Sequence, residues 1–194
     1  MTNTTNARDA RDPRGARNTR EAREAGEAGG TRGNTLVLGA ATVAMGLIAG
    51  VFYIFACAVM PALARSDDRT YVEVMRNINV VIQNPVFFLS FMGALVLTGI
   101  AAWQLRGAAP ARWIWAALAA YALVFLVTMA FNIPLNNALA AKGSPTSLRE
   151  HFEGPWVAWN VVRAVLSTVA LGCLTRALLV HGRFGRLRDT YLPD

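Results

Sequence analysis

A stripe of polar side chains on an apolar segment is the part of this sequence best suited to chemistry. Trp156, Asn160, Arg163 and Ser167 stand at i, i+4, i+7 and i+11, which puts them on one face of a helix. Arg163 lies about seven residues inside that segment, roughly 10 Å at 1.5 Å per residue. An arginine at that depth in a membrane costs a few kcal/mol and normally turns to the bundle interior, where it finds a partner. A second group lies in the stretch Ala130 to Asn137. Asn132 and Asn136 are one turn apart, with Thr128 a turn earlier. Pro134 has no N–H and its ring crowds the carbonyl of Ala130, so the helix should bend or end there and leave carbonyls free. A third group, Asn77, Asn79, Gln83 and Asn84, precedes Pro85. Asn77 and Asn84 are seven apart and stack on one face of a continuous helix, with Glu73 a turn before Asn77. Glu73, Asp67, Asp68 or Glu153 could neutralise Arg163.

The segments that carry these residues settle the class. The chain has 194 residues, 54% hydrophobic and 16% charged, against about 25% charged in a soluble domain. The charges avoid four long stretches, at about residues 36–60, 80–103, 112–135 and 156–179, each long enough to cross a bilayer. The expected fold is all-α, a polytopic four-helix transmembrane bundle over residues 34–182. Pro61 should end the first span, the helix of the second should reach back to Asn77, and Pro155 should open the fourth at its first position. Residues 1–33 repeat arginine every third position with interleaved acids and almost no apolar residue beyond alanine, so they should form a disordered arm. Residues 183–194 form a basic tail.

Thirteen basic residues lie in the two termini and the middle loop, against six in the other two loops and their flanks. That bias places both termini in the cytoplasm and the protein in the plasma (bacterial inner) membrane. The net charge of +7 therefore sets orientation and does not point to nucleic acid. With spans one and three running outward, Met60-Pro61, Asn77 to Asn84, Asn132 to Asn137 and Trp156 to Arg163 all fall in the outer third of the bundle. Gly46 and Gly50 form a G-x-x-x-G pair on span one, a surface for another helix or a second copy. Cys57 and Cys173 sit at depths too different for a disulfide. With His151 and His181 as the only histidines, no metal spacing is present, and any chemistry should be cofactor-free or supplied by a partner.

Several stretches together resemble one family. Gly50-Val-Phe-Tyr-Ile-Phe-Ala-Cys-Ala-Val-Met-Pro-Ala-Leu63, Met75-Arg-Asn-Ile-Asn79 with Asn84-Pro-Val-Phe87, Asn132-Ile-Pro-Leu-Asn-Asn-Ala-Leu139, and Phe152 followed by Trp156-Val-Ala-Trp-Asn-Val-Val-Arg163 look like the anthrone oxygenase-like integral membrane proteins. The likeness covers about residues 36–180 and leaves out the arginine-rich arm. It implies oxidation of a lipophilic anthrone without a cofactor, through a carbanion that reacts with oxygen. Such a site needs donors for the enolate oxygen and a base. Arg163, Asn136 and Asn160 are the candidate donors, and Glu73 or His151 the candidate base. Asn77, Asn84, Asn132, Asn137, Trp156 and Trp159 are the candidate substrate contacts.

A plainer reading stands beside each of these. Arg163 can snorkel to headgroups, Trp156 and Trp159 can belong to an interfacial belt, and the asparagines can be interhelical glue. The alternative function is a non-catalytic bundle that binds a lipid or quinone or assembles with a membrane partner. A small transporter would need a coupling path that one buried charge does not supply.

Overall fold

The computed structural model describes residues 13–191. Every element among them is helical: α1 (Pro13–Ile54), α2 (Met60–Leu63), α3 (Asp68–Val81), α4 (Pro85–Gln104), α5 (Ala111–Val127), α6 (Ile133–Ala140) and α7 (Pro145–Tyr191), with single π turns at Phe55–Val59 and Thr128–Asn132. Residues 1–12 of the arginine-rich arm lie outside the described residues. From Pro13 its backbone is helical and continuous with the first span.

Four stretches are long and apolar enough to cross a membrane: Arg32–Leu63, Pro85–Gln104, Ala111–Ala140 and Pro145–Arg183. They pack as a ring. α1 lies against α4 and α7, and α5 lies against α4 and α7. Close approach comes from small side chains. Ala41, Ala94, Ala101, Ala117, Ala170 and Ala177 are all fully buried at the helix seams, as expected where apolar lipid gives helices little hydrophobic reason to associate. Gly46 faces Leu171 of α7, whereas a side chain at Gly50 would meet nothing. Cys57 and Cys173 are both free.

Both π turns stand directly before a proline. Met60 N–H reaches Phe55 O and Ile133 N–H reaches Thr128 O, five residues back in each case. The widened turn absorbs the donor that Pro61 and Pro134 lack. The expectation that Pro61 terminates the first span is corrected: the helix swells by one residue and runs on to Leu63. At Pro134 the expected bend takes the same form, and α6 continues to Ala140.

Two further boundaries are corrected. The second span does not reach back to Asn77. The chain breaks at Ile82–Asn84, where Asn84 caps α4 by accepting from Phe87 N–H at 3.0 Å and Pro85 takes the first helical position. Asn77 and Asn84 therefore do not share a helix face. Pro155 does not open the fourth helix; it lies inside α7, which starts ten residues earlier at Pro145.

The segment before the break, α3, forms a cap. Asp67 starts it, accepting from Thr70 N–H at 3.0 Å and from the Thr70 hydroxyl at 2.7 Å. Tyr71, Val72 and Met75 fall on one face and join Met60, Leu139, Phe152 and Trp156 in an outer apolar cluster separate from the main core. Two arginines fasten the cap. Arg76 donates to the carbonyls of Leu139 (2.8 Å) and Ala141 (2.7 Å), closing the C-terminal end of α6. Arg149 of α7 donates to the Ala64 and Ser66 carbonyls and to Asp68 and Glu153, with its guanidinium 4.6 Å above the Tyr71 ring.

Candidate functional site

Beneath the cap lies a cavity of about 240 Å³, just under the roughly 300–1,000 Å³ usual for small-molecule pockets. α1 supplies Phe52, the first π turn Phe55, α3 supplies Ile78 and Asn79, and the break before α4 supplies Gln83. α4 adds Phe87, Phe88 and Phe91. The second π turn and α6 bring Thr128, Met129, Asn132, Asn136 and Asn137, and α7 brings Trp156, Asn160 and Arg163. Polar groups of α3, of the break before α4, and of the third and fourth spans thus meet in one chamber.

The α7 stripe is held in place by neighbours on two other helices. Trp156 Nε1 donates to Asn136 Oδ1 at 2.8 Å. Asn160 Nδ2 donates to the Phe52 carbonyl at 3.0 Å, just ahead of the π turn in the first span, and its Oδ1 accepts from Arg163 Nη2 at 3.0 Å. The Arg163 guanidinium lies 4.3 Å from the Phe52 ring centre and 5.4 Å from that of Trp156, and aromatic faces stabilise a cation. Ser167, the last of the stripe, bonds back to the Arg163 carbonyl and extends no further into the chamber.

Arg163 is only 6% exposed, yet no carboxylate pairs with it among the described residues, and its Nε has no protein partner. Asn132, one turn from Asn136, is 1% exposed with neither amide atom hydrogen-bonded to protein. Buried polar atoms of this kind are usually satisfied. Here they line the same cavity, so a ligand or water admitted to it is their natural partner.

The floor is aromatic. The Phe91 ring stacks on Phe87 and Phe125, with centroids 5.7 and 5.8 Å apart, and Tyr121 meets it edge-on while donating to the Phe91 carbonyl at 3.0 Å. The mouth opens sideways. Among the lining residues, Gln83 and Phe88 on one lip and Met129, Ile133 and Asn137 on the other are exposed. The opening therefore runs between the start of α4 and the stretch from the second π turn into α6. Amides mark its outer end and apolar side chains the part below.

Four residues expected at the site from the sequence fall elsewhere. Glu73 is exposed and pairs with Arg69 at 2.9 Å, one turn away on the outer face of α3. Asn77 is exposed beside it; Asn79 and Gln83 take its place at the cavity. Trp159 turns away from the chamber to stack on Phe131, with ring centres 3.8 Å apart. Asn84 spends its carbonyl oxygen on the α4 cap and its amide on the Val81 carbonyl. The other candidate base, His151, is exposed and bonded to the Ser147 carbonyl at 2.8 Å, beside a second hollow of about 370 Å³ on α6 and α7. The proposed neutralisers of Arg163 are also engaged elsewhere, since Asp67 caps α3 while Asp68 and Glu153 pair with Arg149. Phe52 and Phe55 carried no polar signal in the sequence.

A ring of four membrane-length helices with a largely apolar chamber holding a few buried polar groups at one end defines a helical-bundle protein of the membrane type. The sequence model of the family described as Anthrone oxygenase matches residues 86–173. The chain is thus similar to the anthrone oxygenase family from the first turn of α4 to the middle of α7. That stretch holds Asn132, Asn136, Trp156, Asn160 and Arg163, and the family likeness expected from the sequence is borne out. No curated protein and no solved structure matches the chain.

Proposed function

We propose that this chain is a multi-pass protein of the plasma membrane, with both termini cytoplasmic, that oxygenates a flat, lipophilic anthrone-like ketone in the chamber without a cofactor. The observation that carries the reading is the position of Arg163 and Asn132. Both are buried, both keep unbonded polar atoms, and both lie inside the matched family domain against the cavity.

The overall change is anthrone plus dioxygen to anthraquinone plus water. The methylene carbon gives up a proton, and the electron pair it leaves delocalises onto the ring ketone as an enolate. Arg163 and Asn132 hold that oxygen as its charge grows, and a preorganised donor of this kind is worth about 100- to 1,000-fold in rate. Dioxygen takes the electron pair at carbon to give a peroxide. Loss of the second hydrogen with the outer peroxide oxygen, as water, leaves the quinone. Phe87, Phe88 and Phe91 supply a flat apolar surface for the rings, and the sideways mouth suits a compound dissolved in the bilayer.

A second reading, a non-catalytic chamber for a lipid or quinone, has its own support. No carboxylate or histidine lines the cavity among the described residues. Oxygen uptake by the purified protein in detergent with an anthrone separates the two. The oxygenase reading expects uptake well above the spontaneous rate, falling about 100-fold in Arg163→Ala with the thermal transition retained. Equal uptake in wild type and variant, both folded, sinks it.

A further inference from the structure

Arg163 sets the charge its ligand must carry. The side chains it touches are neutral: the Asn160 amide and the rings of Phe52 and Trp156. The charged and titratable groups on the elements packed around it are engaged or turned away. On α3, Glu73 pairs with Arg69, and Arg76 bonds the end of α6. On α7, Glu153 and Arg149 pair with each other, and His151 is exposed and bonded to Ser147. On α5, Tyr121 donates to the Phe91 carbonyl, and the lining residues of α1, α4 and α6 are not titratable. Among the described residues, the chamber therefore holds one cation, no anion and no group able to take a proton.

We infer that the cavity binds its ligand as an oxyanion on a flat aromatic body, a phenolate, enolate or aromatic carboxylate, with the charged oxygen between Arg163 and Asn132. This rests on the cavity being the ligand site, as in the proposed function, and does not need turnover. A buried cation facing low-polarity walls attracts an anion far more strongly than the same charge in water. The unpaired Nε of Arg163 and Nδ2 of Asn132 are donors that an oxyanion satisfies and a second cation cannot, while the unpaired Oδ1 of Asn132 is left to accept from water or a ligand hydroxyl. The apolar remainder of the lining, with Phe87, Phe88 and Phe91, favours an aromatic body. It follows that the ligand's proton leaves before or during binding, to water at the mouth rather than to a side chain of the protein.

The test uses full-length protein in phosphatidylcholine nanodiscs. Anthracene-2-carboxylate and anthracene-2-carboxamide have nearly the same shape and differ in charge. Their affinities are read by fluorescence polarisation against protein-free discs. The carboxylate should bind at least tenfold tighter to wild type. Arg163→Gln should abolish that preference, and Arg163→Lys should keep part of it. A measurement on wild type alone guards against a variant that fails to fold. 2-Naphthol bound to the protein should ionise at lower pH than in protein-free discs. Equal or tighter binding of the amide, or naphthol ionisation at higher pH, overturns the inference. A clear carboxylate preference without oxygen uptake would sink the oxygenase reading alone. Oxygen uptake without the preference would sink this inference alone.

Discussion

The Trp156 indole donates to the Asn136 side-chain oxygen across 2.8 Å, tying the start of the α7 stripe to α6 just past Pro134. This bond fixes the distance between two walls of the chamber. Trp156→Phe keeps a ring over Arg163 and removes the donor. It should cost about 1 kcal/mol, read as a lower thermal transition in detergent. A cycle with Asn136→Ala should show coupling of similar size, whereas additive losses would mean the bond contributes nothing.

Arg149 is the main fastener of the cap, because its partners span the loop before α3, α3 itself and α7. Arg149→Ala should destabilise the capped end of the bundle by about 2–3 kcal/mol, the scale of hydrogen bonds to a charged group. Amide exchange in α3 should rise while that in α4 and α5 stays slow. Arg149→Lys should not rescue it, since one ammonium cannot reproduce the fork. Unchanged α3 exchange in the alanine variant would refute the fastening role.

Tyr71 offers the opposite sign. Its hydroxyl is buried without a protein partner. Burial, helped by the nearby charge of Glu153 and opposed by Arg149, pushes its ionisation above the usual tyrosine value. A raised folded value means the contribution is complete below the ordinary tyrosine range and lost as pH climbs through the raised one. Tyr71→Phe should add about 1 kcal/mol at neutral pH and flatten the alkaline loss of stability. A destabilised phenylalanine variant would show that the hydroxyl has a partner.

At acid pH the sensitive point is the α3 cap. Hydrogen bonds from Thr70, its side chain first and then its N–H, hold the Asp67 carboxyl below its usual value. Such a group stabilises above the ordinary carboxylate range and loses its contribution as pH falls through the lowered value. Protection of the Thr70 amide, taken relative to its intrinsic exchange rate at each pH, should therefore fall at acid pH and do so less in Asp67→Asn. Identical pH profiles would exclude this source.

Glu73 and His151 face away from the chamber. Glu73→Gln and His151→Gln should leave oxygen uptake and ligand affinity within about twofold, which corresponds to the roughly 0.5 kcal/mol limit of an ordinary surface change. A tenfold loss in either, with the fold intact, would return that residue to the chemistry.

The α7 stripe could be read from sequence because its register is local: spacings of four, seven and eleven put Trp156, Asn160, Arg163 and Ser167 on one face whatever else the chain does. Asn132 and Asn136 were legible for the same reason, and the proline beside them marked the distorted turn. Glu73 and Asn77 were misplaced because a continuous helix was carried through Ile82–Asn84. The sequence did hold the stop signal there, since asparagine before proline is a helix cap followed by a first-turn residue. Extending the helix across that break put Asn77 where Asn79 and Gln83 belong. The fastening by Arg76 and Arg149 was beyond local reading, because their carbonyl partners lie more than sixty residues away in the chain.

The chamber ends at Phe91. Past that ring the helices close on alanines, Ile114, Ala117 and Leu174. In the proposed reaction substrate and product share the sideways mouth, and a product as flat as its precursor competes for it. Slow departure of the quinone, rather than the oxygen step, would then set the pace of turnover.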